Sequence, residues 1–289
     1  MKHVKNRVLV TGATGFIGSN LLKKLHGKYE VAILARENSD LSRISGMYAS
    51  VFKGDITDRK SVENAMKGCN AVMHLAACVR SGDERLNRTV NVEGTRNVID
   101  ACKISGVKDI VYLSTVNVLA TAKGAYGRTK EEAEALVMSS GLRARVIMPT
   151  LVYGKGGKEF EKLVGLTDRL IVPIAGNGCN RIQPAYIDDV TETIMKAITA
   201  KPGIYGIAGP EPITFRRFLE LIGEARGKRN VFIPIPMAVL RIGNLMTRTL
   251  TEEQILGFSQ DRILDPSFTK SELGVKLTEY KEGLTKALK

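Results

Sequence analysis

The chain has 289 residues, 43 Lys and Arg against 30 Asp and Glu, and a formal net charge of +13; that length holds one sizeable α/β domain plus a smaller lobe. The absence of low-complexity tracts, solenoid-spaced repeats, an apolar core in Met1–Lys5 and any bilayer-length apolar run points to a globular cytoplasmic protein without stable membrane insertion. Basic residues dispersed among acidic ones read as a solvated surface that attracts anionic small molecules, not as a nucleic-acid footprint, and Cys69, Cys78, Cys102 and Cys179 lack metal-ligand spacing, so reduced thiols and no metal are expected.

The first strand, from Arg7, breaks at Thr11-Gly12, and the pattern turns helical with Phe16, Ile17, Leu21, Leu22 and Leu25 on one stripe. Within this turn, which also carries Thr14, three glycines stand at a spacing of three. Gly12 permits a tight strand-to-helix turn, Gly15 lets a phosphate approach bare backbone, and Gly18 lets the helix lie close on the sheet. The helix N-terminus then offers N–H groups and a positive dipole end to a diphosphate.

Strands and helices alternate onward, as in a doubly wound parallel sheet of Rossmann type. Strands are expected at Glu30–Leu34, Ala49–Lys53, Ala71–His74, Asp109–Leu113 and Ala144–Met148, the last stopped by Pro149. Helices are expected near Lys60–Met66, Leu86–Ser105 and Tyr126–Ser139. The second strand ends in Ala35-Arg36, where an acidic residue would take a ribose 2′-hydroxyl and an Arg a 2′-phosphate. Arg36, with Arg43 as a second cation, therefore favours NADP over NAD as cofactor.

Beyond Pro149 the pattern loosens. Helices are expected over Phe160–Leu170, from an Asp188-Asp189 cap to Ala200, and from a Thr214 cap through Ala225. Ile204–Ile207 reads as a strand, and Val231–Ile233 as a segment ended by Pro234 and Pro236. Thr251 to Gln254 reads as a capping box. Residues 1–150 are thus expected to form a dinucleotide-binding core, and 151–289 a smaller mixed α/β substrate lobe interleaved with it. The apolar stretch Met237–Leu250, with Arg241 and Arg248, reads as a helix over the substrate pocket more readily than as a membrane contact.

Tyr126 and Lys130 are four residues apart, hence on one helix face. A free tyrosine titrates near ~10, and a neighbouring cation moves such a group by roughly 1–3 units. Lys130 beside an oxidised nicotinamide would make Tyr126 a usable acid/base.

The wording Thr11-Gly12-Ala13-Thr14-Gly15-Phe16-Ile17-Gly18, followed by a strand ending in Ser114-Thr115 and by Tyr126-Gly127-Arg128-Thr129-Lys130, resembles the extended short-chain dehydrogenase/reductase family, of the NAD-dependent epimerase/dehydratase kind. The likeness runs through Pro149–Gly154, Gln183–Val190 and Leu277–Leu284. It implies that Asp55 and Ile56 clamp an adenine and that Leu75, Ala76 and Ala77 pass under the cofactor. It implies that Asn91 braces the central strands and that Lys130 also holds the nicotinamide ribose. It further implies that Thr115, with Ser114 as understudy, binds the reacting oxygen, that Pro149 and Val152 line the nicotinamide pocket, and that a homodimer pairs helices Leu86–Ser105 and Tyr126–Ser139.

Three departures stand out: Met148 where many members have Arg, Ala185-Tyr186 where sugar-nucleotide epimerases often carry His, and only about ten residues between Thr115 and Tyr126. The short connection resembles atypical members similar to the nucleotide-binding accessory subunit of respiratory complex I. The leading expectation is an NADP(H)-dependent oxidoreductase acting on a small-molecule alcohol or carbonyl. A sugar-nucleotide epimerase or dehydratase and a non-catalytic NADPH-binding module are the alternatives.

Overall fold

A strand covered on both faces must be apolar along its whole length, and the runs at the start of this chain satisfy that condition. A computed structural model describes residues 6–79, 83–247 and 250–289. Six strands of the first half are β1 (Arg7–Thr11), β2 (Glu30–Ala35), β3 (Ser50–Lys53), β4 (Ala71–His74), β5 (Asp109–Leu113) and β6 (Arg143–Pro149). Between them lie α1 (Phe16–Leu25), α2 (Arg59–Met66), α3 (Glu84–Arg88), α4 (Gly94–Ile104) and α5 (Ala125–Met138). The later part contributes β7 (Val152–Tyr153), α6 (Lys158–Leu166), β8 (Ile171–Ala175), β9 (Arg181–Ile182), β10 (Ala185–Tyr186), α7 (Ile187–Ala197) and β11 (Gly203–Ile207). It continues with β12 (Ile213–Thr214), α8 (Phe215–Ala225), β13 (Val231–Ile235), α9 (Met237–Thr247), α10 (Glu252–Gly257), α11 (Ser267–Leu273) and α12 (Tyr280–Ala287).

Seven strands form one sheet in the order β11-β6-β5-β4-β1-β2-β3, every pair parallel. The order reverses between β1 and β4, so a crevice opens beyond their carboxyl ends, where doubly wound sheets take ligands. Alternation along β1 decides the two layers. Val8 and Val10 face α1 and α7 through Leu21, Leu22 and Ile194. Leu9 faces α2, α4 and α5 through Val62, Val98 and Ala133. Each such fully buried Leu or Val contributes roughly 1.5–3 kcal/mol.

The later part enters this sheet through β11, which pairs with β6 from Gly203↔Arg145 to Ile207↔Pro149. Its own core gathers Tyr153, Phe160, Tyr186, Phe218, Tyr280 and Leu284. Asp189, buried in α7, accepts from the Thr278 amide and hydroxyl at 2.7 Å each, and Tyr280 Oη donates to the Glu211 carbonyl at 2.5 Å. Those bonds hold the Leu277–Leu284 stretch against α7 and the loop after β11.

Several expected boundaries move. The helix over Leu86–Ser105 is three pieces, because Thr89–Glu93 between α3 and α4 is a π turn. Pro234 does not end a strand: it pairs with Ile174 inside β13, which tolerates a missing N–H because β8 is its one strand neighbour among the described residues. Asp188 and Asp189 lie in the first turn of α7, whose N-cap is Tyr186 and has no side-chain cap. Thr214 caps α8, and Thr251 with Gln254 closes the capping box of α10. Cys69 and Cys102 are buried, whereas Cys179 is exposed.

Candidate active site

The turn from β1 to α1 is built by glycine for two separate reasons. Gly12 has φ +73, which a side chain rarely adopts, and a Cβ there would lie 2.7 Å from the Ala76 nitrogen. A Cβ on Gly18 would lie 2.2 Å from the Gly12 carbonyl oxygen. The corner of β1, the first turn of α1 and the exit of β4 are therefore in backbone contact. Gly15 is the N-cap of α1, exposed, with no side-chain cap and no acidic residue in the first turn. Its dipole end is left to an outside anion. Thr14 is half-buried beside it. Phe16 lays its ring against Gly154 and Gly157 after β7, and Ile17 joins the cores on both sides. This bare cradle fits a diphosphate.

Arg36 stands exposed at the end of β2, immediately after Ala35. Arg43 is exposed on a 3-10 turn, Ser42–Ile44, and its Nη1 comes within 3.9 Å of the Cβ position of Gly156. Asp55 and Asp58 take different partners. Asp58 caps α2 through the amides of Lys60 and Ser61, whereas Asp55 Oδ1 accepts from the amide and hydroxyl of Thr57 at 2.9 Å each. Ile56 is buried under Gly94 at the start of α4, where a Cβ would come within 2.7 Å of its Cδ1.

His74, to which the sequence assigns no role, is the hub beneath the crevice. It faces Thr11 across the β1–β4 register, with Nδ1 2.7 Å from Thr11 Oγ1 and Nε2 3.0 Å from Thr95 Oγ1. Thr95 donates its own proton to the Asn91 carbonyl at 2.6 Å, so Nε2 is the imidazole donor and Nδ1 accepts from Thr11. Thr11 Oγ1 in turn accepts from the Ala76 amide at 3.3 Å. Burial, with the Lys130 charge adding to it, pushes the His74 pKa down to about 3, so the ring is neutral.

The π turn sets Asn91 to grip the Cys78 backbone at both its amide, 2.7 Å, and its carbonyl, 3.2 Å. Asn91 also donates to Thr129 of α5 at 3.0 Å, and Thr129 donates to the Ala125 carbonyl at 2.8 Å. A continuous polar chain thus runs from the glycine corner, past Leu75, Ala76 and Ala77, to the turn that carries Tyr126.

Tyr126 is half-buried in the first turn of α5. Lys130, one turn on, is buried, donates to the Leu113 carbonyl at 2.7 Å and lies 4.0 Å from the centre of the Tyr112 ring. Burial lowers its pKa to about 7, against the opposing pull of Glu134. Glu134 was missed in the sequence. It sits four residues beyond Lys130 on the same face, accepts from the Ser114 hydroxyl, and has its carboxyl pushed up by burial. The i, i+4 repeat Tyr126, Lys130, Glu134 was the signal that could have found it. Ser114 is thereby committed to Glu134. Thr115 accepts from the Asn117 amide at 3.3 Å and keeps its own proton to donate.

The short connection after Thr115 forms a 3-10 turn, Val116–Leu119, and is then bridged from the far lobe. Gln260 accepts from the Ala122 amide at 3.4 Å and donates to its carbonyl at 3.2 Å. Pro149 ends β6 beside Ile207, and Val152 pairs with Ala185. Thr150 Oγ1 donates to the Gln183 carbonyl at 2.5 Å, which ties the segment Pro149–Gly154 to the stretch before α7. Arg248 lies outside the described residues.

Residues 8–208 match the model of the NAD dependent epimerase/dehydratase family. The chain belongs to that family. Among relatives of the NAD dependent epimerase/dehydratase family, the UDP-glucose 4-epimerase of Vibrio cholerae is 27% identical over 300 residues, covering 93% of this chain and 90% of that one. The 2-alkyl-3-oxoalkanoate reductase of Stenotrophomonas maltophilia is 28% identical over 273 residues, covering 84% and 82%. Of solved structures, gox2253 superposes with a TM-score of 0.81 at 24% identity, covering 98% of this chain and 97% of that one. The UDP-glucose 4-epimerase of Thermus thermophilus in complex with NAD does so at 0.79 and 23%, with the same coverage. Membership in the NAD dependent epimerase/dehydratase family makes the chain an NAD(P)-dependent enzyme of the oxidoreductase or epimerase/dehydratase type.

Proposed function

We propose that this protein is an NADP(H)-dependent oxidoreductase that transfers a hydride at an alcohol or carbonyl carbon, with Tyr126 as the acid/base. The carrying observation is the buried Lys130 amino group, one helical turn from Tyr126 and fixed at the carboxyl end of β5 beside Thr115. In this reading Gly12, Thr14, Gly15 and Gly18 form the diphosphate cradle, with Phe16 and Ile17 walling it. Asp55 and Ile56 border the adenine, and Arg36 with Arg43 meets the 2′-phosphate. Leu75, Ala76, Ala77, Pro149 and Val152 frame the nicotinamide. When bound, that ring accepts or delivers the hydride.

Thr115 donates a hydrogen bond to the reacting oxygen. Tyr126 takes the hydroxyl proton as the alcohol carbon loses its hydride, and returns a proton to the oxygen in the reverse direction. Lys130 stabilises the phenolate through its charge. The experiment is NADPH oxidation followed near 340 nm with a panel of ketones and aldehydes. Tyr126→Phe is expected to lower kcat/KM by roughly 10²–10⁴-fold while leaving the NADPH Kd unchanged; undiminished turnover refutes the assignment.

A second reading, sugar-nucleotide epimerisation, is favoured by the Vibrio relative's 93% coverage of the chain. Tightly held NAD extracted from the purified protein, with turnover of a nucleotide sugar and none of the panel, selects it instead.

A further inference from the structure

The β8–β13 ribbon has two faces of the same chemistry and opposite fates. Val172 and Ile174 point inward and are buried in the lobe core, with Phe232 partly buried against it. The register pairs Ile171 with Val231 and Ile233 with Pro173 on the other face. Among the described residues nothing buries that face: Leu170, Ile171, Val231 and Ile233 are each between 48% and 69% exposed. After Pro236 the chain continues into α9, where Met237, Leu240 and Asn244 form the half-buried stripe. The opposite stripe carries Val239 and Ile242, 57% and 63% exposed. Isolated exposed apolar residues need no explanation, but a ribbon face and a helix stripe in succession do.

Charge says what covers it. Both strands start at one end, held there by the Val231 amide on the Leu170 carbonyl at 2.8 Å and by Asn230 Nδ2 on the Arg169 carbonyl at 2.7 Å. That end carries Arg169, Lys228 and Arg229, and α9 adds Arg241, all exposed. At that same end Arg226 is paired with Asp168, and elsewhere in the lobe Arg216 and Arg217 are paired with Glu220 and Glu224. The four cations beside the apolar face have no ion-pair partner among the described residues, and residues 231–247 contain no Asp or Glu. A second copy meeting this face across a two-fold axis would bring the same cations, and the acid at that end, Asp168, is already paired with Arg226. An anionic lipid surface supplies both missing partners, headgroup charge for the rim and acyl chains for Ile171, Val231 and Ile233.

We infer that the β8–β13 ribbon and the outward stripe of α9 seat the protein on the surface of an anionic bilayer, lying on it without crossing it. No helix of the described residues is long and apolar enough to cross.

The test is co-sedimentation of the full chain with vesicles of phosphatidylcholine, alone or equimolar with phosphatidylglycerol. Wild type should pellet with the anionic vesicles, remain in the supernatant with the neutral ones, and be released by salt. Ile233→Asp, on an exposed face, should leave the thermal midpoint unchanged and abolish pelleting. Lys228→Ala with Arg229→Ala should weaken it on the order of 30-fold. Three results overturn the inference: no pelleting with anionic vesicles, equal pelleting with neutral ones, or pelleting that ignores these substitutions. A concentration-dependent dimer that Ile233→Asp dissolves, without vesicle binding, would assign the face to a second copy instead.

Discussion

At the scale of single residues, two positive charges carry opposite kinds of expectation. Arg36 is exposed, and its proposed work is on a ligand. Arg36→Ala should therefore weaken NADPH binding by about 1–3 kcal/mol, in the range of charge-assisted bonds, while NADH binding changes little. Equal losses in paired fluorescence titrations would remove the phosphate assignment. Lys130 is buried, and its proton is a matter of folding. Its folded pKa, about 7, lies below the ordinary 10.5, so the unfolded chain binds more protons between those values. Stability contributed by this group rises with pH across that window and is lost on acidification at about 1.4 kcal/mol per unit. Urea melts of wild type and Lys130→Met should thus diverge in the mutant's favour from pH 10 down to pH 7, then run parallel below. A constant difference would mean that the lysine keeps its ordinary pKa. None of this is legible in the sequence, where Lys130 is a motif letter and Glu134 looks like a solvated helix charge. Burial by β5 is what makes both unusual, and burial comes from partners distant in the chain.

At the scale of elements, the sequence was most readable where the chain is most buried. The bounds of β4 and β5 coincide with the expected Ala71–His74 and Asp109–Leu113, whose apolar stretches Ala71–Met73 and Ile110–Leu113 suit strands covered on both faces. The π turn at Thr89–Glu93 was invisible, since the buried positions Asn87, Asn91, Thr95, Val98 and Cys102 keep a helical spacing across it. Pro234 misled because a missing N–H matters only where a strand has a neighbour on that side. Glycine positions also divide by what they meet. Gly18→Ala would drive a Cβ against the Gly12 carbonyl, backbone on backbone, and should cost more than about 2 kcal/mol with loss of nucleotide binding. Gly94→Ala meets the Ile56 side chain, Cδ1 at 2.7 Å and Cγ1 at 2.8 Å, which can shift where backbone cannot, and should cost less than Gly18→Ala, offset in part by the better helix propensity of alanine. Urea midpoints for the two variants compare them directly; reversed rankings would contradict the packing described for the corner.

For the molecule as a whole, β11 and the apolar face of α7 join the later part to the sheet, and buried polar bonds fix its last stretch on α7. Thr278→Val removes the hydroxyl donated to buried Asp189 and should destabilise by about 1.5–3 kcal/mol, as for bonds to charged groups. Thr285→Val, on the exposed Lys281 carbonyl, should stay within about 0.5 kcal/mol, and similar urea midpoints for both would deny the buried bond its weight. The motifs foretold that these segments matter but not to which partners they are tied, because Asp189 and Thr278 are far apart along the chain. Thr11 holds two consecutive amides at the exit of β4, Leu75 through its carbonyl at 3.2 Å and Ala76 through its hydroxyl. Whatever stills the corner at Gly15 must also slow the exchange of those two hydrogens with heavy water. An isotope label at Leu75 and Ala76 is therefore a built-in gauge of occupancy next door, readable before any substrate has been found.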